Sequence, residues 1–474
     1  MLKLRIKHSA AKAEALVVPL GPGTAVPDAA QRAAMAVDFR GAVGQTCEAF
    51  APHRRLLLVG IGAQATPAAL QGAGARAAGR LLALERIALD VRGLTPELAA
   101  AFAAGVCLRG WRYERLRTQS EADAPERLAA VDLLCQRLPA VAAAWAEVAP
   151  GVQGALFARD LVAEPADTLT PKGFVRRLRD LTRHGLELTV LRRGDLRREG
   201  LGALLAVSGG SARAPRLVEL RWPGRGATPP VVFVGQGVTF DSGGLCVRSA
   251  ERLETRHAEM AGAAAAVGAM LALALRRSPA GAVAVVPLAE NAIGAASYRP
   301  GDVVRCCDGR TVEVVNTAHD GRLLLADALA WTARRHKPRA MVSIATLTQA
   351  VVTALGHHLA GLFDNDAALA AHLAAAAATV DEPVWRLPIG EGHRAALNSD
   401  IADLRQSVPE TYAPDACHAA ALLHAFAGAT PWAHLDISGV HRRDEPDELR
   451  AAGPTGFGVR LLDRLVAHRF EAEE

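Results

Sequence analysis

Three segments of this chain gather residues able to bind a cation or move a proton. The first, Val231-Val-Phe-Val-Gly-Gln-Gly-Val-Thr-Phe-Asp-Ser-Gly-Gly244, is an apolar run opening into a loop with four glycines around one acid, Asp241. Glycines let backbone approach a ligand closely while a carboxylate is offered to it; a glycine-rich turn with a capping Asp is the plainer reading. The second, Asn316-Thr-Ala-His-Asp-Gly-Arg-Leu-Leu-Leu-Ala-Asp-Ala328, brings Asp320 and Arg322 to the mouth of a helical run. The third is Glu259, at the head of the apolar stretch Met260 to Leu275. Asp320 and Glu259 would each also serve as ordinary first-turn acids facing the positive end of a helix dipole.

These segments need a scaffold. Strand-like runs at Leu186 to Leu191, Pro215 to Arg221, Val231 to Val234, Val283 to Pro287 and Ala340 to Ile344 alternate with helical segments around Glu259 to Arg276 and Leu323 to Arg335. Such alternation predicts an α/β domain with a central, mostly parallel sheet and ligands at the carboxyl ends of its strands. Val303 to Cys307 and Arg310 to Val315, joined by Asp308-Gly309, read as a hairpin. Earlier, a strand around Leu2 to Ile6, the run Arg55 to Gly62 and a helix from Thr66 to about Leu84 make a smaller α/β unit. The pair Gly60 and Gly62 marks a tight turn there; it lacks the third glycine and acidic partner of a dinucleotide site, so no organic cofactor is expected. Alanine-rich helical sequence continues to about Ala149, and Pro150-Gly151 punctuates the chain. The expected division is 1–150 for a small N-terminal α/β domain and 151–474 for a larger α/β one.

With 474 residues, half of them hydrophobic and 22% charged, the composition is that of a globular protein with two cores. Met1 to Val18 has neither the apolar core nor the cleavage site of a signal sequence, so a cytoplasmic location is expected. The run Ala261 to Leu275 falls short of a bilayer span, and no membrane association is expected. Seven scattered cysteines, Cys47, Cys107, Cys135, Cys246, Cys306, Cys307 and Cys417, form no Cys-x-x-Cys pair, which argues against disulfides or a structural zinc site. The net charge of +5 comes from a chain with only five lysines among its 54 basic residues. No basic block with interleaved aromatics accompanies it, so nucleic acid is not an expected partner.

Taken together, the three segments resemble the leucyl aminopeptidase (cytosol aminopeptidase) family in order and spacing, from about Arg159 to Leu465. Pro287-Leu-Ala-Glu-Asn291, Tyr298 to Val304, Ala345-Thr-Leu-Thr348, Ser399-Asp-Ile-Ala-Asp403, Trp432 to Ile437 and Thr455 to Arg460 fall in the same register. The resemblance implies a two-domain subunit, usually of a hexamer, that releases N-terminal amino acids from peptides with water activated by two divalent ions such as zinc or manganese. The five metal-ligand positions fall on Gln236, Asp241, Glu259, Ala318 and Asp320, where the family has lysine, aspartate, aspartate, aspartate and glutamate.

Only Asp241 is retained. Gln236 offers a weak amide oxygen in place of an amine. Glu259 is one methylene longer than the family residue and Asp320 one shorter, whereas Ala318 has no donor at all. One weakly held ion on Asp241, Glu259 and Asp320, or none, is therefore expected. Arg322 matches the family's arginine that holds bicarbonate, and Arg248 replaces the lysine that stabilises the tetrahedral intermediate with a larger, forked and permanently charged group. Arg256, Thr346 and Gln349 fall on the substrate pocket, and Arg256 raises the prospect of an acidic preference in place of leucine. His257 and His319 are neighbours able to replace a lost ligand. The expectation is a catalytically impaired homologue that keeps the fold and binds a peptide. The alternatives are an active aminopeptidase with an altered centre and a DNA-binding member of the family.

Overall fold

The computed structural model describes residues 2–10, 12–51, 54–118, 128–226, 228–409, 413–446 and 451–471. Met1 and Glu474, the outer limits of the two expected domains, lie outside them. The chain separates into two compact units, Met1–Val152 with Arg443–Gly453, and Gln153–Arg442 with Pro454–Glu474.

In the first unit six strands, Lys3–Lys7 (β1), Ala15–Leu20 (β2), Thr46–Ala51 (β3), Arg54–Gly60 (β4), Arg86–Asp90 (β5) and Ala130–Leu134 (β6), form a sheet in the order β1-β6-β5-β2-β4-β3. All pairs are parallel except β3 with β4. Helices Pro67–Arg80 (α1) and Pro96–Arg109 (α2) begin alike: Thr66 and Thr95 accept from the backbone N–H groups of Ala69 and Leu98, and proline takes the first helical position, where its missing N–H costs nothing. The two helices lie backbone to backbone. A Cβ on Gly74 would sit 2.1 Å from the Phe102 carbonyl oxygen, and one on Gly105 1.9 Å from that of Gln71.

The helical stretch expected to run on to Ala149 is instead broken by β5 and β6. Ile87, Ala88 and Leu89 are fully buried in a strand paired on both sides, and that tertiary pairing overrides the helical preference of the alanine-rich sequence around them. Conversely, the break expected at Pro150 is absent, because helix Leu138–Ala163 (α3) runs through it. Proline removes one intrahelical hydrogen bond, and the burial of Val152, Ala155 and Leu156 around it compensates.

The second unit contributes Glu187–Leu191 (β7), Arg216–Trp222 (β8), Val231–Gly235 (β9), Gly237–Asp241 (β10), Ala282–Asn291 (β11), Val303–Arg305 (β12), Thr311–Glu313 (β13), Ala340–Ala345 (β14), Ala360–Asp364 (β15), Val384–Arg386 (β16), Leu404–Arg405 (β17) and Trp432–Asp436 (β18). Among the described residues a nine-stranded sheet runs β16-β15-β18-β14-β9-β11-β8-β7, with β10 paired to β11. Its middle, β18-β14-β9-β11, is parallel, and antiparallel pairs lie outside it. Every residue of β9, β14 and β18 is buried, which is why they read as continuous apolar runs without alternation. The hairpin expected between Val303 and Val315 is β12 with β13, extended by β17.

Two helices carry site residues. Ala261–Leu275 (α4) follows a 3-10 segment, Leu253–Met260, and Ala261 to Ala274 are all buried. Together the two pieces, Leu253–Leu275, are long and apolar enough to cross a membrane, contrary to the expectation from Ala261 onward. However, 89% of the relevant window is buried inside the protein, as in a helix apolar on all sides within a core. Gly262 fixes where α4 starts: a Cβ there would fall 2.0 Å from the Ile344 carbonyl oxygen at the end of β14, so the helix seats directly on the sheet. Asp320–His336 (α5) buries Leu323, Leu324, Leu325, Leu329 and Trp331 in a hydrophobic cluster of this unit, each leucine contributing roughly 2 kcal/mol.

Candidate functional site

Asp241, Gln236 and Ala345 mark the carboxyl ends of parallel strands or the loops after them, where an α/β sheet places its ligands, and Asp320 opens α5. Gln236 sits between β9 and β10; its N–H donates to the Ile344 carbonyl at 3.0 Å and its own carbonyl accepts from Ala263 N–H at 2.8 Å. Its side chain lies against the start of α5, where a Cβ on Gly321 would be 2.8 Å from the Gln236 amide carbon. The register between β10 and β11 shifts between Val238 and Asp241, and a bulge of this kind re-aims a side chain at a sheet end.

Asp241 is buried to 1% exposure. One carboxylate oxygen accepts from Gly243 N–H at 2.8 Å and from Asn291 Nδ2 at 2.9 Å. The other accepts from Arg248 Nε at 2.5 Å, and Arg248 Nη2 donates to the Ala318 carbonyl at 2.7 Å. Burial weakens the protonation of Arg248, but the carboxylates of Asp241, Glu259 and Asp320 outweigh it and hold the guanidinium above its ordinary pKa. The loop after β10 turns back through Gly243 and Gly244, both at positive φ, and Arg248 N–H donates to the Ser242 carbonyl.

Thr317 ties the second segment to this loop. Its hydroxyl donates to the Gly243 carbonyl at 2.6 Å and accepts from Cys246 N–H, while its carbonyl accepts from Asn291 Nδ2 and the Tyr298 hydroxyl. Asp320 follows at the first position of α5. Burial, then the facing Asp241, push its carboxyl well above the ordinary value. Asp320 Oδ2 and Gln236 Oε1 are buried acceptors without a hydrogen-bond partner.

Glu259 belongs to the 3-10 segment that leads into α4, and both of its oxygens are engaged. Arg256 Nη1 donates to one at 2.7 Å and Thr346 Oγ1 to the other at 2.5 Å. Arg256 and Thr346, expected on the substrate pocket, therefore both bond the Glu259 carboxylate. Gln349 is exposed at the first position of helix Gln349–Leu355. The two histidines have different surroundings, and His319 Nδ1 is buried without a hydrogen-bond partner. His257 Nδ1 pairs with the Glu254 carbonyl at 2.7 Å, and His319 is held to a pKa of about 4, first by burial and then by Arg322. Among the described residues, no three of the histidines, cysteines, aspartates and glutamates form a metal-ready group with their side chains as placed, while Asp241, Glu259 and Asp320 all lie within electrostatic reach of Arg248. Arginine donors have taken the oxygens of two of them.

Arg322 is fully buried. Its Nη2 reaches both carboxylate oxygens of Asp415 at 2.6 Å, and Nη1 donates to the Gln406 carbonyl at 3.2 Å. A carboxylate of the chain itself thus takes Nη2, while Arg322 Nε is buried without a hydrogen-bond partner. Sequence reasoning missed Asp415: it opens helix Asp415–Ala427 (α6) after Pro414 and reads there as an ordinary first-turn acid. It also gave no role to Asn291, although the residue lies in a quoted segment; a polar residue closing an apolar strand was the available signal.

The chain is a two-unit α/β protein with its chemistry-bearing residues at the carboxyl end of the larger sheet. It belongs to the cytosol aminopeptidase family: the catalytic-domain model matches residues 156–463 and the N-terminal-domain model residues 25–120. It is 39% identical to a "Probable cytosol aminopeptidase" of Gluconobacter oxydans (strain 621H), covering 94% of this chain and 92% of that one. The relative from Brucella suis biovar 1 (strain 1330), of the same name, is 40% identical over 92% and 90%. Among solved structures, "Bottromycin maturation enzyme BotP in complex with Mn" superposes with a TM-score of 0.87 at 34% identity, covering 96% of this chain and 99% of that chain.

Proposed function

We propose that this family member has lost most or all two-metal peptidase activity and retains its pocket to bind the N-terminal end of a peptide, working in the cytosol as a homo-hexamer. The observation that carries the reading is Ala318: it has no side-chain donor, and its carbonyl is taken by Arg248. The remaining donors fit a pair of divalent ions poorly. Asp241 accepts three hydrogen bonds, Glu259 accepts two, and Gln236 brings a neutral amide, whereas hard divalent cations require several open oxygen ligands. Arg322 already has a carboxylate partner in Asp415.

A second reading, an active aminopeptidase with an altered centre, is favoured by the two unpartnered acceptors, Asp320 Oδ2 and Gln236 Oε1. They suit a single weakly held cation, and BotP, named as a complex with Mn, shares the fold. DNA binding has only the basic balance behind it, and much of the arginine charge is paired within the chain.

Pure protein assayed on leucyl, glutamyl and aspartyl substrates, with manganese, zinc, magnesium or cobalt and with bicarbonate, decides between the first two. No turnover above the protein-free rate is expected, for the wild type or for Asp320→Ala. Turnover that Asp320→Ala abolishes would sink the proposal.

A further inference from the structure

We infer that Arg248 is the site's built-in cation, and that its guanidinium, bridging Asp241 and the Ala318 carbonyl, keeps divalent metal out. The inference rests on the reading above and assigns the cause of metal loss to one residue.

The geometry is that of a counter-ion. Nε meets Asp241 Oδ2 at 2.5 Å and Nη2 meets the Ala318 carbonyl at 2.7 Å, so a single planar fork spans two of the five positions from which the family's ligands come. Gly243 N–H and Asn291 Nδ2 saturate the other oxygen of Asp241. An ion entering here would have to displace a charge-assisted pair from a carboxylate that is 1% exposed, and a guanidinium cannot make way by losing its proton.

The placement is held by backbone. A Cβ on Gly243 would lie 2.3 Å from the Cys246 carbonyl oxygen and 3.0 Å from Arg248 Cγ, so the loop closes tightly around the arginine stem. The Arg248 N–H bond to the Ser242 carbonyl fixes its root. Charge balance agrees with this role. A carboxylate is absent at Ala318, where a divalent ion would need it, and the singly charged guanidinium instead pairs with the one carboxylate that remains unaltered in type. Arg256 on Glu259 repeats the arrangement at a second ligand position.

The test is manganese titration of the full-length wild type, Arg248→Met, Arg248→Ala, and Arg248→Met combined with Asp241→Asn. It is read by calorimetry, by the manganese electron paramagnetic signal and by the rise in melting temperature with added metal. Methionine keeps most of the stem, and circular dichroism confirms which variants are folded. The wild type should show no saturable binding. Either Arg248 variant should bind manganese saturably, at least about tenfold more tightly than the weakest affinity the titration resolves, since a like charge within a few ångströms has been removed, and Asp241→Asn should reverse the gain. Wild-type binding as tight as that of Arg248→Met, or no binding by any folded Arg248 variant, would overturn the inference. The outcome is separable from the proposed function. Wild-type peptide turnover together with a manganese gain in Arg248→Met would refute the first reading and leave this one standing.

Discussion

Alanine at Asp415 is expected to destabilise the larger unit by about 3 kcal/mol, because it strands a fully buried guanidinium without its anion. Arg322 has 1% side-chain exposure against 27% for Asp415, so the damage falls on the arginine, which cannot discard its proton to escape burial. Asp415→Asn keeps an acceptor toward Nη2 and should lose less. Urea unfolding followed by tryptophan fluorescence would measure both; a loss for Asp415→Ala no greater than that of a surface substitution would show the pair to be incidental. The pair also sets a pH dependence. Burial raises the Asp415 carboxyl, but Arg322 outweighs it, and the folded pKa lies below the ordinary 3.8. Because the folded value is depressed, the contribution is complete above the ordinary value and fades as pH falls through the folded one. Asp415→Ala should accordingly differ most from wild type near neutrality and converge with it in strong acid.

Trp432→Ala should cost about 3–5 kcal/mol, the range for deleting a large buried aromatic. Trp432 opens β18, is fully buried, stacks on His434 with ring centroids 6.3 Å apart, and donates from Nε1 to Ser343 Oγ at 3.0 Å. Alanine leaves a cavity between β14 and its neighbours that backbone pairing on both sides prevents from collapsing. Trp432→Phe should cost far less, because Ser343 Oγ remains paired with His434 Nδ1 at 2.9 Å. The same unfolding measurement checks both variants, with equal losses for alanine and phenylalanine as the contrary result.

Much of the larger sheet could be read from the chain because its central strands are buried on both faces. Runs such as Val231 to Val234 and Ala340 to Ile344 are short and rich in β-branched residues, which favours strand over buried helix. The first unit was harder to read: β5 and β6 are short, alanine-containing and flanked by helices, so only their pairing partners make them strands. Pro150 misled for the opposite reason, since burial along α3 outweighs a single lost hydrogen bond. At the site, the positions of Asp241, Glu259, Ala318 and Asp320 followed from segment order. What occupies their oxygens did not, because Arg248 reaches Asp241 and Ala318 through loop geometry that residue types do not encode, and Asp415 meets Arg322 across 93 residues of sequence. An arginine in place of a lysine shows a change in size and charge permanence; only the fold shows that it reaches across to a carbonyl vacated by the loss of a carboxylate.

The central claim is that arginine, and not metal, neutralises the carboxylates at this sheet end. Anomalous diffraction from wild-type crystals soaked in excess manganese tests it directly. The expected map has no manganese peak within bonding distance of Asp241 or Glu259 and shows Arg248 still bridging Asp241 and the Ala318 carbonyl. Two manganese ions sharing Asp241, with the guanidinium swung away, would contradict it.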